Sequence, residues 1–122
     1  MFVDDERDVL LSFEKTITKS LKDYEFIGAR SGEECLELIK NGTIPDVIYL
    51  DIMMPGLSGW EVYDKLRENP AWNHIPIVFL TARTDQVAVE VGEALGDGYI
   101  EKPIDSTQLL QHIEDILTKK QS

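Results

Sequence analysis

The chain has 122 residues, a length that fits one ordinary domain with a single core. Its composition is 43% hydrophobic and 29% charged, as in a folded globular protein, and no apolar run approaches the roughly 20 residues that cross a bilayer. The 12 basic and 23 acidic residues give a net charge of −11, which disfavours direct binding to nucleic acid and to anionic membranes.

The acidic residues at the start of the chain bear on its cellular location, and the single cysteine bears on whether it forms a disulfide. Asp4 and Asp5 stand where a secretory signal peptide would carry basic and then apolar residues, so we expect a cytoplasmic protein. Cys35 has no partner for an internal disulfide, and its place among the apolar positions of a predicted helix favours packing over reactivity. We expect one domain spanning residues 1–122.

A very short strand is predicted to precede the first helix. Residues 1–3 are the only apolar residues before the acidic pair, so we expect this strand to make few hydrogen bonds, to weaken the sheet and to leave a fold that Mg²⁺ stabilises. Asp5 and Glu6 favour a helix N-terminus after it. Apolar residues then recur at helical spacing at Leu10, Phe13, Ile17 and Leu21.

A second strand and helix are predicted next. Glu25–Ala29 is the strand candidate. Ser31, with Glu34 three residues later, has the capping-box pattern that begins a helix. Asn41 and Gly42 are typical of a helix end, so this helix is predicted to stop there.

Two apolar runs, Val47–Leu50 and Ile77–Leu80, are too short for ordinary helices and too continuous for a half-exposed strand. Both therefore predict strands that are covered on both faces. The first run leads directly to Asp51 and the second to Thr81. A helix that Ser58 can cap is predicted between them.

The last third of the chain repeats the pattern. A fourth helix is predicted from apolar positions on one face, namely Val87, Ala88, Val91, Ala94 and Leu95. Tyr99-Ile100 form a short fifth strand. The fifth helix carries the stripe Leu109, Leu110, Ile113, Ile116 and Leu117. Five strand–helix units predict an α/β fold, a doubly wound five-stranded parallel sheet with five helices, whose ligands bind beyond the carboxyl ends of the strands.

Polar side chains follow the predicted strands at that edge. Asp4 and Asp5 come after strand one, Asp51 ends strand three, Thr81 ends strand four, and Lys102 follows strand five. Three converging carboxylates repel one another unless a cation joins them, and their hard oxygen atoms suit Mg²⁺. Lys102 offers a charge to a carboxylate or phosphoryl oxygen, and Thr81 offers a hydroxyl to the same phosphoryl group. Together they predict a phosphoryl-transfer site.

Each element also has an ordinary explanation. An acidic pair before a helix commonly caps it, a threonine at a strand end commonly packs, and Lys102-Pro103 is a common loop sequence. Asp51 alone is equally well explained as a turn residue before Pro55-Gly56. The joint arrangement favours the site.

Four motifs resemble those of two-component receiver domains, similar to the chemotaxis response regulator, and the resemblance covers essentially the whole chain. The motifs are Val3–Glu6, Asp51–Gly59, Leu80–Ala82 and Lys102-Pro103. As a set they are highly specific. The resemblance implies the flavodoxin-like strand order 2-1-3-4-5.

The same resemblance implies a division of roles around the metal. Asp51 would be the phosphoacceptor. Asp5, Asp51 and the backbone carbonyl of Met53 would ligate Mg²⁺ or Mn²⁺, and Asp4 would assist indirectly through water or hydrogen bonding.

It also implies a switch. Lys102 would bridge to the phosphoryl group, while Thr81 and Tyr99 would change position together when it is present. The bond before Pro103 would be cis. The surface of the fourth helix, fifth strand and fifth helix would then signal to a downstream effector.

The expected partner is a sensor histidine kinase or a histidine phosphotransfer domain, whose phosphohistidine is the donor in this family. The downstream effector or fused output domain is not indicated by the sequence. His74 and His112 are therefore expected to be structural or exposed.

Three alternatives remain beside this interpretation. A haloacid-type aspartyl phosphatase typically needs a second acid two residues after its nucleophile, where this chain has Met53. A flavodoxin-type domain would need a phosphate-binding loop in place of Asp4 and Asp5. A degenerate receiver that only binds other proteins would not need every expected polar position.

Overall fold

The computed structural model describes residues 1–81, 98–102 and 104–121. Five strands and four helices alternate along this part of the chain. In chain order they are β1 Phe2–Val3, α1 Arg7–Ser20, β2 Gly28–Ala29, α2 Gly32–Lys40, β3 Ile48–Asp51, α3 Gly59–Glu68, β4 Ile77–Thr81, β5 Tyr99–Glu101 and α4 Ser106–Gln121. The predicted fourth helix, at residues 87–95, and the bond before Pro103 lie outside the described residues.

The strands form one parallel sheet in the order β2-β1-β3-β4-β5, which confirms the predicted fold class and strand order. The register aligns the carboxyl ends of the strands. Val3 pairs with Leu50, and Asp51 pairs with Leu80. Thr81 in turn pairs with Glu101, the residue before Lys102. The chain therefore leaves β1, β3 and β5 at a common edge.

Each face of the sheet is covered by helices that bury an apolar stripe. Alternate residues of a strand point to opposite faces, so Ile48 and Leu50 contribute to one core and Tyr49 to the other. The α2–α3 core also contains Val3, Cys35, Ile39, Val62, Leu66, Ile77 and Phe79. The α1–α4 core also contains Phe2, Leu10, Phe13, Ile17, Val78, Leu109, Ile113 and Leu117. Cys35 is fully buried, in agreement with the predicted packing role.

The second strand is shorter than predicted. Glu25–Ala29 was the expected range, whereas β2 covers only Gly28–Ala29. It lies at the edge of the sheet and pairs with β1 alone, through Phe2 with Gly28 and Val3 with Ala29. Because β1 has two residues, β2 cannot extend further as a paired strand. β3 ends at Asp51, as predicted, but begins at Ile48 instead of Val47, and β5 ends one residue later than predicted, at Glu101.

The helix starts follow the predicted chemistry with two exceptions. Ser58 and Glu61 form a complete capping box at α3. At α2, Ser31 Oγ accepts the Glu34 N–H, but the Glu34 carboxylate accepts the Arg30 N–H and so does not complete the box. At α1, the side chain of Glu6 makes no capping hydrogen bond.

Of the helices in the part that the structure describes, none combines the length and the apolar character needed to cross a membrane.

Candidate functional site

A cluster of charged side chains lies at the carboxyl edge of the sheet. Asp4 follows β1, Asp51 is the last residue of β3, and Lys102 follows β5. Lys102 Nζ lies 2.7 Å from Asp4 Oδ2 and 3.4 Å from Asp51 Oδ2. The structure therefore joins segments that are 98 residues apart in the chain.

Both aspartates of this cluster are buried. Asp4 is 0% exposed and Asp51 is 6% exposed. Burying a carboxylate is costly unless a counter-charge and hydrogen bonds compensate, and Lys102 supplies the counter-charge for both. A single ammonium group thus faces two buried carboxylates.

The backbone fixes the other oxygen of each carboxylate in the same way. Asp4 Oδ1 accepts the N–H of Glu6 at 3.0 Å, and Asp51 Oδ1 accepts the N–H of Met53 at 3.3 Å. In both cases the donor is two residues further along the loop that leaves the strand. Each aspartate is held between its own loop and Lys102, which orients its oxygens before any ligand binds.

Asp5 completes a set of oxygen donors. One carboxylate oxygen each from Asp4, Asp5 and Asp51 lies within 4.8 Å of the other two, and Asp5 is half-buried. Hard oxygen donors on a partly open surface suit Mg²⁺, which keeps several waters and binds through few carboxylates. The donor set therefore fits a divalent cation.

The pKa values of the site agree with an excess of negative charge. Burial raises the pKa of Asp51 to about 6; Lys102 opposes this rise, and the neighbouring Asp4 adds to it. Burial alone would lower the pKa of Lys102, but its hydrogen bond to Asp4 and the charge of Asp51 outweigh that effect and raise it. A further positive charge would thus be stabilised beside Asp51.

The remaining predicted residues lie around this cluster. Thr81 ends β4, but its side chain is outside the described part of the structure. Tyr99 begins β5, pairs with Phe79 and packs half-buried against the α2–α3 core. The Met53 side chain is 70% exposed on the β3–α3 loop.

Two contacts of functional interest were not anticipated. Glu33 Oε1 accepts the N–H of Leu57 at 3.0 Å, whereas the sequence pattern singled out only Glu34 in that turn, as part of a capping box. Tyr49 Oη and His112 Nδ1 are 3.0 Å apart. His112 is half-buried and makes a structural contact, which is one of the two roles expected for it. Both contacts join distant segments, so no local pattern could have indicated them.

The family follows from comparison with known proteins. Residues 1–114 match the response regulator receiver domain. The chain belongs to this family. As a receiver domain it is a signalling module, and the phosphatase and flavodoxin alternatives no longer apply.

Individual relatives agree with the assignment. The receiver domain is 37% identical over 121 residues to the response regulator MprA of Mycobacterium sp. (strain KMS), covering 98% of this chain and 50% of that protein. It is 32% identical over 123 residues to a probable cyclic di-GMP phosphodiesterase of Vibrio cholerae, covering 100% of this chain and 27% of that protein. The chain thus spans half the length of one relative and about a quarter of the other.

A solved structure gives the same result. The crystal structure of a CheY-like response regulator receiver domain protein from Methanospirillum hungatei JF-1 superposes with a TM-score of 0.77 at 32% identity. The match covers 92% of this chain and 87% of that one. The fold and the family therefore agree.

Proposed function

We propose that this receiver domain accepts a phosphoryl group on Asp51 from the phosphohistidine of a sensor histidine kinase or a histidine phosphotransfer domain. The observation that carries the proposal is the convergence of Asp4, Asp5 and Asp51 on one another, with Lys102 between two of them. This arrangement provides a nucleophile, a set of metal donors and a cation for the phosphoryl group.

The cation would be Mg²⁺ or Mn²⁺, held by Asp5, Asp51 and the backbone carbonyl of Met53, with Asp4 acting indirectly. Its contribution would be to offset negative charge on the phosphoryl oxygens and on the attacking carboxylate. The contact of Lys102 Nζ with Asp4 Oδ2, at 2.7 Å, is shorter than its contact with Asp51 Oδ2, at 3.4 Å, which supports an indirect role for Asp4.

The chemical step transfers the phosphoryl group between two nucleophiles. A carboxylate oxygen of Asp51 forms the new O–P bond while the P–N bond to the donor imidazole breaks, and the imidazole nitrogen keeps the electron pair. With a pKa of about 6 in the metal-free protein, Asp51 is mostly ionised at neutral pH and can attack.

Lys102 and Thr81 would then interact with the negatively charged oxygens of the phosphoryl group. Lys102 Nζ already lies within 3.4 Å of Asp51, so it can pair with an oxygen of a phosphoryl group attached there. Thr81 ends the neighbouring strand at the same edge and would offer its hydroxyl. The site works by positioning and electrostatics, and its only catalysis is of its own phosphorylation and dephosphorylation.

Phosphorylation would change the protein surface beside β4 and β5. Thr81 and Tyr99 would act as the switch pair, which alters the surface made by the segment between β4 and β5, by β5 itself and by α4. A downstream effector or a fused output domain would bind there. We further propose that residues 1–122 form one cytoplasmic domain that binds neither nucleic acid nor membranes directly.

Beryllofluoride, a phosphoryl mimic, tests this proposal together with Mg²⁺. Trp60 stands near the start of α3, with its ring 4.7 Å from that of Phe79 on β4, so tryptophan fluorescence should change when the site is filled. Asp51→Asn should abolish the change, whereas the same substitution at the exposed Asp23 should preserve it. An equal response in Asp51→Asn, or none in the wild type, would leave the chain as a degenerate receiver that only binds partners.

A further inference from the structure

The loop between β3 and α3 carries Met53, and a backbone N–H group near each of its ends donates a hydrogen bond that fixes that end. Near β3, the Met53 N–H donates to Asp51 Oδ1. Near α3, the N–H of Gly59 donates to the carbonyl of Ile52 at 2.9 Å. Between these points the chain turns through Gly56, whose φ of 76° lies in the left-handed region that favours glycine.

The middle of this loop is held from outside by α2. The carboxylate of Glu33, the second residue of α2, accepts the N–H of Leu57 at 3.0 Å. That hydrogen bond is the first cause of a lowered pKa of Glu33, so the acceptor stays ionised at neutral pH. A bond across 24 residues thus ties the loop to a helix that contributes no residue to the metal site.

Two glycines allow this close approach. A Cβ atom on Gly56 would lie 2.7 Å from Glu33 Oε1, and one on Gly32 would lie 2.9 Å from Leu57 Cβ and 2.6 Å from Val62 Cγ2. All three distances are too short for ordinary contact, so each glycine leaves room for side-chain atoms of the opposing segment. Helix α2 and the loop therefore meet as two closely fitted surfaces, with the Glu33 carboxylate across the junction.

An acidic residue in the first turn of a helix commonly stabilises the helix only through its favourable interaction with the helix dipole. Ser31 already caps α2 by accepting the Glu34 N–H, and Glu34 accepts the Arg30 N–H. The carboxylate of Glu33 interacts locally with Ser31 and with its own backbone, but it also accepts a hydrogen bond from a different segment. Its contact with Leu57 is therefore a tertiary one, and its effect should appear in the loop.

We propose that Glu33 is a positioning residue, which holds the β3–α3 loop at Leu57 so that the backbone carbonyl of Met53 stays in place for the metal. The inference rests on the proposed function, because it assigns Met53 to the metal site. Mg²⁺ demands nearly ideal geometry at about 2.0–2.1 Å, so a small shift of one protein ligand should weaken its binding. Leu57 is only four residues from Met53, close enough to transmit such a shift.

Three variants separate the hydrogen bond from the charge. Glu33→Ala removes both, Glu33→Gln removes the charge but keeps an oxygen that can accept the Leu57 N–H, and Glu37→Ala removes a charge from an exposed position of the same helix. We expect the dissociation constant for Mg²⁺ to rise about 3- to 10-fold in Glu33→Ala, the range for loss of one hydrogen bond. Glu33→Gln and Glu37→Ala should stay within about twofold of the wild type.

The affinity is measured by titrating Mg²⁺ against tryptophan fluorescence, and the phosphorylation rate from acetyl phosphate is measured over the same Mg²⁺ range. Glu33→Ala should need more Mg²⁺ but reach a rate close to that of the wild type at saturation. Unchanged Mg²⁺ affinity in Glu33→Ala would overturn the inference, as would equal weakening in Glu33→Gln.

A double-mutant cycle gives an independent test from the loop side. Gly56→Ala places a Cβ against Glu33 Oε1 and also strains a backbone with a φ of 76°, so it should weaken Mg²⁺ binding through both effects. The double variant should be weakened by less than the product of the two single effects, because both disturb one contact. Independent, multiplying effects would contradict a shared contact. A wild type that binds no Mg²⁺ and accepts no phosphoryl group would refute the proposed function itself, and the inference with it.

Discussion

The carboxyl edge of the sheet and the α1–α4 core both place polar side chains out of water, but they balance them differently. At the edge, Lys102 faces the buried carboxylates of Asp4 and Asp51, and Asp5 lies beside them. In the core, the hydroxyl of Tyr49 is hydrogen-bonded to the half-buried His112. The core pair is complete as neutral groups, whereas the edge has more negative than positive charge.

The contrast is sharper because Tyr49 and Asp51 are neighbours on β3. Two residues apart on one strand, they point to the same side of the sheet. Tyr49 on this strand makes a hydrogen bond between neutral groups that needs no ion. Asp51, two residues later, belongs to a site whose negative charge favours binding of a cation. The core pair should stabilise the fold under all ionic conditions, and the edge should respond to Mg²⁺.

Their pH dependence should also be opposite. The pKa of Asp51 is raised from 3.8 to about 6, so its contribution to stability is present below pH 3.8 and is lost as the pH rises through 6. Burial lowers the pKa of His112 from 6.5, an effect that Asp115 partly opposes. Its contribution is present above pH 6.5 and is lost as the pH falls through the lower, folded-state pKa.

Of the substitutions considered, removing the positive charge of Lys102 should have the largest effect, and it should act on the rate of phosphorylation. Lys102→Met should lower the rate of phosphorylation from acetyl phosphate about 100-fold or more, as expected when one preorganised group loses its charge contact with the reacting oxygens. Mg²⁺ binding should persist, since the variant removes a positive charge near the metal. Lys40→Met, at an exposed position of α2, is the control, and a Lys102→Met rate within tenfold of the wild type would contradict the assignment.

Removing the acceptor charge should stabilise the metal-free protein. At pH 7.5 with a chelator, Asp51→Asn should raise the free energy of unfolding by on the order of 1–3 kcal/mol, because it removes a carboxylate whose burial is only partly compensated. Urea unfolding measures this, and the gain should disappear near pH 4. Mg²⁺ should then stabilise the wild type more than Asp51→Asn. If Asp51→Asn were less stable than the wild type in the absence of metal, this would contradict an excess of negative charge at the site.

Breaking the core pair should have a smaller effect and none on the site. Tyr49→Phe removes the hydroxyl that meets His112, and we expect a loss of about 1 kcal/mol in the free energy of unfolding. Tyr24→Phe, at an exposed position, should change it by only a few tenths of a kcal/mol. Mg²⁺ affinity should be unchanged in both variants. A large fall in Mg²⁺ affinity for Tyr49→Phe would mean that the two regions are not independent.

The smallest expected effect concerns the titration of His112. His112→Asn keeps a polar atom near the position of Nδ1 but cannot titrate, so the fall in stability as the pH drops below 6.5 should flatten. His74→Asn should leave that fall unchanged, because His74 is exposed. Identical pH profiles for His112→Asn and the wild type would show that His112 is not the group responsible.

Much of the fold and the centre of the site could be predicted from the sequence. The apolar runs that lead to Asp51 and Thr81 indicated buried parallel strands, whose carboxyl ends must share an edge. Together with the strand order, this shared edge brings Asp51 near Asp4 and Lys102. The strand order came from the resemblance to a family.

The rest depends on contacts between distant segments. β2 is short because its partner β1 has two residues, which no pattern in Glu25–Ala29 reveals. The bond from Leu57 to Glu33 depends on the packing of α2 against a loop, and the local sequence indicated only a capping role for Glu34. The complete burial of Asp4, and its short contact with Lys102, likewise emerge only when the sheet is assembled.

Mass spectrometry of the intact protein, followed by peptide mapping, tests whether Asp51 is the phosphoacceptor. Incubated with acetyl phosphate and Mg²⁺, the wild type should gain the mass of one phosphoryl group, located on Asp51. The adduct should be absent with a chelator and in Asp51→Asn, but present in Asp23→Asn. No adduct on the wild type, or the same adduct on Asp51→Asn, would contradict the account.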